Sequence, residues 1–291
     1  MKIAITGASG MLGTSLVSLI SKKYQVYANS LSKISNFENV EWNCFDITSH
    51  KILTSWLEKV RPDVLIYCTA IVNLDLCEKQ KKLALSIHYE SAKIALDFQK
   101  KTKKRFIYIS SDGVFDGTKT SKYKEEDIPN PINEYAKTKF LAEQEIIKYN
   151  QSLIIRTNIV GFNKNGTSFM DWVVRSMKYD KELNLFVDAH FSPIYVDSLS
   201  NVIEKIIKTP IYGLYHCASS ESISKYDFVK KFIEEMNYKT CKANPISIEE
   251  FNFIARRPKN LALDVRKLEK ELNIELPSIS DCIMSLRNSI N

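Results

Sequence analysis

The sequence predicts an α/β fold with a doubly wound parallel sheet, and three observations support this prediction. Short apolar segments alternate with longer segments of helical periodicity over roughly the first half of the chain. A glycine-rich turn separates the first apolar segment from the first helical one, and it holds Gly7, Gly10 and Gly13. Beyond Gly161 the alternation loosens and prolines become frequent, which predicts a smaller C-terminal α/β lobe.

Six strands are expected in the sheet. They are Ile3–Ile5, Tyr24–Ala28, Val40–Phe45, Val64–Tyr67, Arg105–Ser110 and Ser152–Thr157. Helical periodicity follows the glycine turn, runs again from about Lys79 to Lys100, and starts once more near Asn133. We therefore expect residues 1–160 to form a nucleotide-binding domain of the Rossmann type. Residues 161–291 are expected to form a substrate-binding lobe that interleaves with this domain at its edges.

The first strand, the glycine turn and the helix after it predict a dinucleotide site. Glycine permits a tight turn and a close approach of the backbone to a pyrophosphate, which the N–H groups of the helix N-terminus bind. The spacing is G-x-x-G-x-x-G, so an ordinary tight turn is the alternative. Cofactor contacts are predicted at the turn and at the strand ends, for Gly7, Ser9, Gly10, Met11, Leu12, Asn29, Ser30, Asp46, Ile47, Cys68, Thr69 and Ala70.

The end of the second strand indicates which nicotinamide cofactor is preferred. An Asp or Glu there would bind the ribose 2′-hydroxyl of NAD, whereas this chain has Asn29 and Ser30, with Lys33 just beyond. No acid stands at this point to repel a 2′-phosphate, so we expect NADPH, with NADH as the alternative. Asp46 either faces the adenine or starts the next helix.

Three side chains downstream predict a ketone reduction. Ser111 follows the fifth strand, and Tyr135 and Lys139 are four residues apart on one face of a helix. A tyrosine, whose pKa is about 10, can donate the proton if a nearby ammonium lowers that pKa; the lysine can also hold the nicotinamide ribose. A serine hydroxyl can bind the substrate carbonyl. Such a Tyr–Lys pair also arises by chance on many helices. Because it follows a glycine turn and two serines in the sequence, a catalytic role for the pair is favoured here.

Composition excludes several other classes of protein. No apolar run reaches the ~20 residues of a membrane span, and neither a signal peptide nor a membrane partner is expected. Six cysteines without a C-x-x-C pair indicate free thiols and a cytoplasmic location. The net charge of +7 suits an anionic small substrate, and nucleic acid is not expected. Asp188, His190 and Asp197 are too loosely spaced to predict a metal site, and His88 is expected to be structural rather than catalytic.

Eight segments, spread over nearly the whole chain, resemble the extended short-chain dehydrogenase/reductases. Within that superfamily the sequence is similar to the nucleotide-sugar 4-ketoreductases, among them the dTDP-4-dehydrorhamnose reductases. The segments are Thr6–Gly13, Pro62–Ile66, Val72–Glu78, Ser110–Gly117, Tyr135–Lys139, Arg156–Gly161, Phe191–Asp197 and Arg256–Asn260. The first and fifth of them are specific to the superfamily, whereas Val-Phe-Asp-Gly and Arg-Pro point to the narrower branch.

The resemblance implies an NADPH-dependent reductase of a nucleotide-activated 4-keto-6-deoxysugar, which serves surface-polysaccharide synthesis. It gives Ser111, Tyr135 and Lys139 the catalytic roles, with Tyr135 and Lys139 also touching the cofactor. Asn73 and Asp75 would lie beside substrate and cofactor, and Arg257 at the diphosphate end of the substrate. The substrate-binding residues expected in this way are Val72, Asn73, Asp112, Asn158 and Arg257.

Three positions depart from the pattern of that family. Gly113 stands where the family has a tyrosine, Ile87-His88 replaces Val-Asn, and Ile159 aligns near a tryptophan that packs on the sugar. An epimerase or dehydratase on the same scaffold is one alternative, although dehydration usually needs a pair of acids where this chain has only Asp112. A non-catalytic NADP-binding regulatory subunit is the other alternative. A homodimer is left open.

Overall fold

The structure, a computed structural model, describes residues 1–34, 36–238 and 241–290. Its strands, in chain order, are β1 (Lys2–Thr6), β2 (Gln25–Ser30), β3 (Val40–Cys44), β4 (Val64–Tyr67), β5 (Arg105–Ile109), β6 (Ser152–Arg156), β7 (Ile159–Val160), β8 (Leu183–Phe186), β9 (His190–Phe191), β10 (Ile194–Tyr195), β11 (Gly213–His216), β12 (Ile223–Ser224), β13 (Ala243–Ile246) and β14 (Asn260–Leu261). Its α-helices are α1 (Met11–Ile20), α2 (His50–Val60), α3 (Leu74–Lys79), α4 (Lys81–Leu85), α5 (Ser91–Thr102), α6 (Glu134–Ile146), α7 (Phe169–Lys178), α8 (Val196–Lys208), α9 (Lys225–Glu235), α10 (Arg266–Leu272) and α11 (Ile279–Asn288).

The central sheet has seven parallel strands in the order β11-β6-β5-β4-β1-β2-β3. The chain therefore winds outward in one direction from β1 and in the other from β4, and the predicted doubly wound α/β fold is confirmed. In such sheets ligands bind beyond the carboxyl ends of the strands, where the order reverses. Here the strand order reverses between β1 and β4. Gly7 and Cys68, which directly follow these two strands, therefore lie at the expected ligand-binding position.

Both faces of the sheet are buried, as a parallel sheet requires. Along β1, Ile3 and Ile5 point into a core that also contains residues of α1 and α8, whereas Ala4 points into the core formed with α2 and α5. The apolar runs read from the sequence are thus strands covered on both sides. No helix among the described residues is both long enough and apolar enough to cross a bilayer.

The seventh strand, β11, lies in the C-terminal half of the chain and has no counterpart among the six predicted strands. It is a short strand at the edge of the sheet, and among the described strands it pairs with β6 alone. The helix before it, α8, packs on α1, where Ser15 Oγ donates to Asp197 at 2.5 Å and Lys23 pairs with Glu204 at 2.7 Å. Residues of the C-terminal half therefore complete the central sheet. The division into residues 1–160 and 161–291 stays a prediction.

The helix predicted from Lys79 to Lys100 is interrupted in the structure. A π-helical turn, Ser86–Glu90, separates α4 from α5, and Ser91 Oγ donates to the carbonyl of Ser86 at 2.8 Å. Two tyrosines from the sheet hold the turn, because Tyr67 donates to the carbonyl of Ile87 at 2.6 Å and Tyr108 to that of His88 at 3.0 Å. Such turns are frequent at functional sites, and this one directs His88 into the protein.

Smaller sheets make up much of the remaining C-terminal half. β9 pairs with β12 and β14, β7 with β10, and β8 with β13. They bring the chain back toward the carboxyl edge of the central sheet, since Ile194 N donates to the carbonyl of Asn158 just after β6.

Candidate active site

The glycine turn has the geometry that a dinucleotide site needs. Gly7 has φ +65°, and a Cβ there would lie 2.9 Å from the Cα of Thr69, in the loop after β4. A Cβ on Gly13 would lie 2.2 Å from the carbonyl oxygen of Gly7. Both positions therefore require glycine, because β1, α1 and the loop after β4 meet there without room for a side chain.

Polar groups around the turn lack partners within the described chain. Gly10 precedes α1 and provides no capping side chain, so the first-turn N–H groups of this ten-residue helix point into the turn uncapped. The hydroxyls of Thr6 and Thr69 are buried and make no hydrogen bond. Free amide N–H groups, the positive end of the helix dipole and hydroxyls without a hydrogen-bond partner could together bind the pyrophosphate of a dinucleotide. Ser9, Met11 and Leu12 lie in this same turn.

The predicted adenosine-side residues lie at the carboxyl ends of β2 and β3. Asn29 is buried and its amide donates to the carbonyls of Asn43 and Phe45, so this side chain braces β3. Ser30 Oγ donates to the carbonyl of Ser32 at 2.6 Å. Asp46 accepts from the amide and the hydroxyl of Thr48, which favours its alternative role at the start of the next helical segment. Lys33 is exposed, and Ile47 is buried beneath this edge.

Local capping positions the predicted catalytic side chains. Asn133 caps α6 by accepting from Ala136 N at 2.9 Å, which starts the helix that carries Tyr135 and Lys139. Ser111 follows β5 and caps a 3₁₀ turn, where its Oγ accepts from Gly113 N at 3.0 Å. A Cβ on Gly113 would lie 3.3 Å from Ser111 Oγ and 3.8 Å from the ring of Tyr135, so the three residues are adjacent.

The pKa of Tyr135 does not follow the expectation from the sequence. Burial raises the pKa of this phenol to about 12, and its hydrogen bond with Ser111 only partly opposes the rise. The ammonium of Lys139 does not act on the phenol; it donates to the carbonyl of Ile109 at 2.6 Å and lies 4.1 Å from the ring centroid of Tyr108. The predicted lowering of the tyrosine pKa is therefore wrong for the chain alone, because desolvation exceeds any favourable charge.

Lys139 is itself strongly perturbed. Burial lowers its pKa to about 7, while the carboxylate of Glu143, one turn further along α6, raises it. Glu143 is buried in an ion pair with Arg156 at 2.6 Å and accepts from Ser110 Oγ at 2.5 Å. The hydroxyl of Ser110 is thus engaged behind the site, and Ser111 is the serine that faces Tyr135.

His88 joins the loop after β4 to α6, the helix that carries Tyr135 and Lys139. Its Nε2 accepts from Ile71 N at 2.9 Å, and its Nδ1 lies 2.7 Å from Thr138 Oγ1, which itself donates to carbonyls of α6. The ring is therefore the neutral Nδ1–H tautomer. Burial, together with the charge of Lys139, lowers the pKa of His88 to about 3. A neutral imidazole with a hydrogen bond at each ring nitrogen agrees with the structural role expected for His88.

The predicted substrate residues form two groups. Arg257 pairs with Asp75 at 2.9 Å, and the neighbouring Arg256 carbonyl accepts from Asn133 Nδ2 at 3.0 Å. The Arg-Pro segment therefore lies beside the start of α6, close to Tyr135. Asn73 caps α3 by accepting from Leu76 N, and the neighbouring Val72 is 75% exposed.

Asp112 is the buried acid of the site. Its two oxygens accept from Ser111 Oγ at 3.0 Å and from Asn158 Nδ2 at 2.5 Å. Burial raises its pKa to about 6, against the lowering effect of these bonds and of the Lys225 charge. Lys225, the first residue of α9, is therefore a charge that acts on this acid, and sequence reasoning missed it. A single lysine at a helix start, more than a hundred residues downstream of Asp112, carries no motif that would have identified it.

The residues weighed as metal ligands are used elsewhere. Asp188 accepts from Ser247 Oγ and Ile248 N, and Asp197 accepts from Ser15 Oγ. Across residues 1–34, 36–238 and 241–290 no group of three or more His, Cys, Asp or Glu side chains could hold a metal ion. The thiols of Cys44, Cys68, Cys77, Cys217, Cys241 and Cys282 are all free.

Known proteins match this chain over nearly its full length. dTDP-4-dehydrorhamnose reductase of Aggregatibacter actinomycetemcomitans is 29% identical over 288 residues, which cover 94% of each chain. Methionine adenosyltransferase 2 subunit beta of Xenopus laevis is 27% identical over 276 residues, which cover 91% of this chain and 81% of that one. The crystal structure of dTDP-4-dehydrorhamnose reductase from Bacillus anthracis str. Ames in complex with NADP is 31% identical and has a TM-score of 0.87, with 99% of each chain covered.

The same agreement appears at the level of a whole family. The family model described as the RmlD substrate binding domain matches residues 1–289, which include both the glycine turn and the Arg-Pro segment. The chain therefore belongs to the RmlD substrate binding domain family.

Proposed function

We propose that this protein is an NADPH-dependent reductase that acts on a nucleotide-activated 4-keto-6-deoxysugar in surface-polysaccharide synthesis. The observation that carries the proposal is the adjacency of Ser111, Tyr135 and Gly113 beside Lys139, at the carboxyl edge of the central sheet. The similarity to reductases named for dTDP-4-dehydrorhamnose supports the substrate class.

The cofactor residues follow from the fit of the glycine turn. NADPH, when bound, supplies the hydride for the ketone. The N-terminus of α1, with Gly7, Gly10 and the residues between them, would hold the pyrophosphate, while Cys68, Thr69 and Ala70 would lie along its nicotinamide half. A relative crystallised with NADP supports the phosphorylated cofactor, as does the lack of an acid at the end of β2.

The chain's own residues would perform the proton transfer. With its pKa raised to about 12, Tyr135 carries its proton throughout the neutral range and can donate it to the oxygen that develops negative charge. Ser111 would hold that oxygen by a hydrogen bond. Lys139 would bind a ribose hydroxyl of the cofactor as a cation, which requires that it carry its own proton.

The substrate would lie between the two groups of predicted substrate-binding residues. One group contains Asp112 and Asn158, which are hydrogen-bonded to each other next to Ser111. The other contains Val72, Asn73 and Arg257, of which Arg257 would bind the diphosphate. Residues 161–291 would form the smaller substrate-binding lobe that the sequence predicts. The six free thiols suit a reducing compartment, and we place the reaction in the cytoplasm.

One second candidate has a specific observation in its favour. Methionine adenosyltransferase 2 subunit beta is named as a subunit of another enzyme, and the likeness to it favours the alternative raised from the sequence, a non-catalytic NADP-binding regulatory subunit. The complete Ser111, Tyr135 and Lys139 set favours catalysis instead. A dehydratase is less well supported, because the one acid beside Ser111 is Asp112 and both of its oxygens are already bonded.

The test is a panel of nucleotide 4-ketosugars incubated with the purified protein while NADPH absorbance is followed. We expect NADPH oxidation with at least one 4-keto-6-deoxysugar, and oxidation slower by about 10²-fold or more with the Tyr135→Phe variant. A protein that binds NADPH tightly and oxidises it with no sugar of the panel would refute the reductase and favour the regulatory subunit.

A further inference from the structure

The loop between β7 and α7 brings the C-terminal half of the chain to the glycine turn. This β7–α7 loop consists of residues 161–168. A Cβ on Gly161 would lie 3.1 Å from Sδ of Met11, which is the first residue of α1. The loop therefore borders the groove in which the pyrophosphate of the cofactor would lie.

The backbone of the β7–α7 loop is held by hydrogen bonds. Gly166 N donates to the carbonyl of Asn163 at 3.0 Å, which closes a turn that contains Lys164. Asn163 N and Ser168 N both donate to the carboxylate of Asp171 on α7, at 3.2 Å and 2.9 Å. The point from which the side chain of Lys164 leaves the backbone is therefore defined.

The side chain of Lys164 crosses from this loop to the loop that follows β2. Its Nζ donates to the carbonyl of Ile34 at 3.1 Å. Ile34 comes four residues after Ser30, the last residue of β2, and directly after Lys33. Across residues 1–34, 36–238 and 241–290 neither Lys33 nor Lys164 forms an ion pair. The carbonyl uses one of the three N–H donors of the Lys164 ammonium, so two remain for a ligand.

The loop that Lys164 reaches is the one expected to lie beside the adenosine ribose. Ala8 N donates to the carbonyl of Asn29 at 2.9 Å, so the glycine turn and the end of β2 are adjacent. In dinucleotide-binding folds the ribose 2′-oxygen lies at the end of the second strand, where an acid binds the hydroxyl of NAD and a cation accommodates the 2′-phosphate of NADP. Residues 29–34 contain no acid, whereas Lys33 belongs to them and the ammonium of Lys164 is hydrogen-bonded to them.

We propose that Lys164 is a specificity-determining residue whose ammonium binds the 2′-phosphate of NADPH, an assignment that rests on the cofactor of the proposed function. A phosphate monoester carries a charge of about −1.5 to −2 at neutral pH and accepts charge-assisted hydrogen bonds from an ammonium. The two remaining donors of Lys164 can bind it while the third keeps the carbonyl of Ile34. Lys33 would supply the second cation, so the phosphate would be bound by both halves of the chain.

The test measures dissociation constants of the full chain for two pairs of ligands that differ in the 2′-phosphate alone. The pairs are NADPH with NADH, and adenosine 2′,5′-bisphosphate with 5′-AMP, all titrated at one low ionic strength because salt screens exposed charges. Lys164→Met removes the charge and keeps the length, and Lys164→Arg keeps the charge. Lys178→Met, which removes an exposed lysine at the end of α7, is the matched control.

We expect Lys164→Met to weaken both phosphorylated ligands by about tenfold and both unphosphorylated ligands by less than about twofold. Lys164→Arg should recover most of the loss, and Lys178→Met should bind all four ligands as the wild type does. If the hydrogen bond to Ile34 only holds the two loops together, Lys164→Met weakens all four ligands alike, which would overturn the proposal.

Two further results would also contradict this role of Lys164. One is unchanged binding of NADPH in Lys164→Met, and the other is a wild type that binds NADPH no more tightly than NADH. Because no sugar is present and no turnover is measured, a protein that reduces none of the ketosugars would still show whether Lys164 recognises the 2′-phosphate.

Discussion

The imidazole of His88 meets the ring of Tyr135 edge-on, with ring centroids 5.4 Å apart and the two planes at 86°. Both of its nitrogens are bonded, one to the loop after β4 and the other to Thr138 on α6. The loop that would contact the nicotinamide and the helix that carries the phenol are therefore connected through one buried, uncharged ring.

Replacement of His88 tests that connection. His88→Phe keeps the ring but leaves the N–H of Ile71 without its acceptor, so we expect a loss of about 1–3 kcal/mol in the free energy of unfolding. NADPH oxidation should also slow, because the loop and α6 lose their shared contact. Urea unfolding and steady-state kinetics check the two effects. His88→Asn, which offers an amide of shorter reach, is the matched variant, and we expect it to recover part of both.

The pH dependence of activity is not expected to involve His88. With its pKa lowered to about 3, the imidazole remains neutral over the whole working range. If the profile of kcat/KM loses an acid limb in His88→Phe, the structural role assigned to this residue is wrong.

Removal of the phenol tests Tyr135 as the proton donor. Tyr135→Phe keeps the packing against His88 but takes away the proton, so turnover should fall by about 10²–10⁴-fold, the usual contribution of a general acid. NADPH affinity should barely change, since the glycine turn and Lys139 would hold the cofactor. Stopped-flow or steady-state absorbance gives the rate and fluorescence titration the affinity. Activity that stays within about threefold of wild type would exclude this mechanism.

The pKa of Lys139 predicts the alkaline side of the activity profile. Because burial lowers it to about 7, the ammonium loses its proton as the pH rises through that value, while Tyr135 stays protonated. We expect kcat/KM, which reports the free enzyme, to fall above about pH 7 by up to tenfold per pH unit. Lys139→Arg should abolish this fall, since a guanidinium stays charged. A wild-type profile that is flat to about pH 9 contradicts the prediction.

Cofactor preference can be tested at the end of β2. NADPH should bind more tightly than NADH, because no acid repels the 2′-phosphate and Lys33 is exposed nearby. Lys33→Glu should narrow the difference by about tenfold. The exposed Lys231→Glu, on α9, provides the control for net charge. Titrations that give NADH equal or tighter binding to the wild type would count against both the preference and the role of Lys33.

Much of this architecture was predictable from local sequence. β1, the glycine turn and α1 are adjacent along the chain, so apolar periodicity and the spacing of Gly7, Gly10 and Gly13 determine them together. β4 and β6 were predicted to within a residue at each end, and so was the start of α6 at Asn133. Tyr135 and Lys139 share a face because four residues nearly complete one helical turn.

Other features depended on contacts that local patterns do not record. β11 is recognised as a strand only by its pairing with β6, and the π turn at Ser86–Glu90 by the tyrosines that hold its carbonyls. The direction of the pKa shift of Tyr135 could not be predicted from local sequence either. Its spacing from Lys139 suggests a nearby ammonium that lowers the pKa, whereas burial of the phenol raises it.

The sequence by itself determined the order of the first six strands, the need for glycine at the turn, and the identity of the residues able to donate a proton. These depend on interactions within a few residues, where periodicity and side-chain chemistry act directly. Only the tertiary structure decided that Asn158 bonds Asp112 and that His88 bonds both Ile71 and Thr138. Such neighbours are set by the path of the backbone through the packed core, and desolvation there then determines which groups keep their charge.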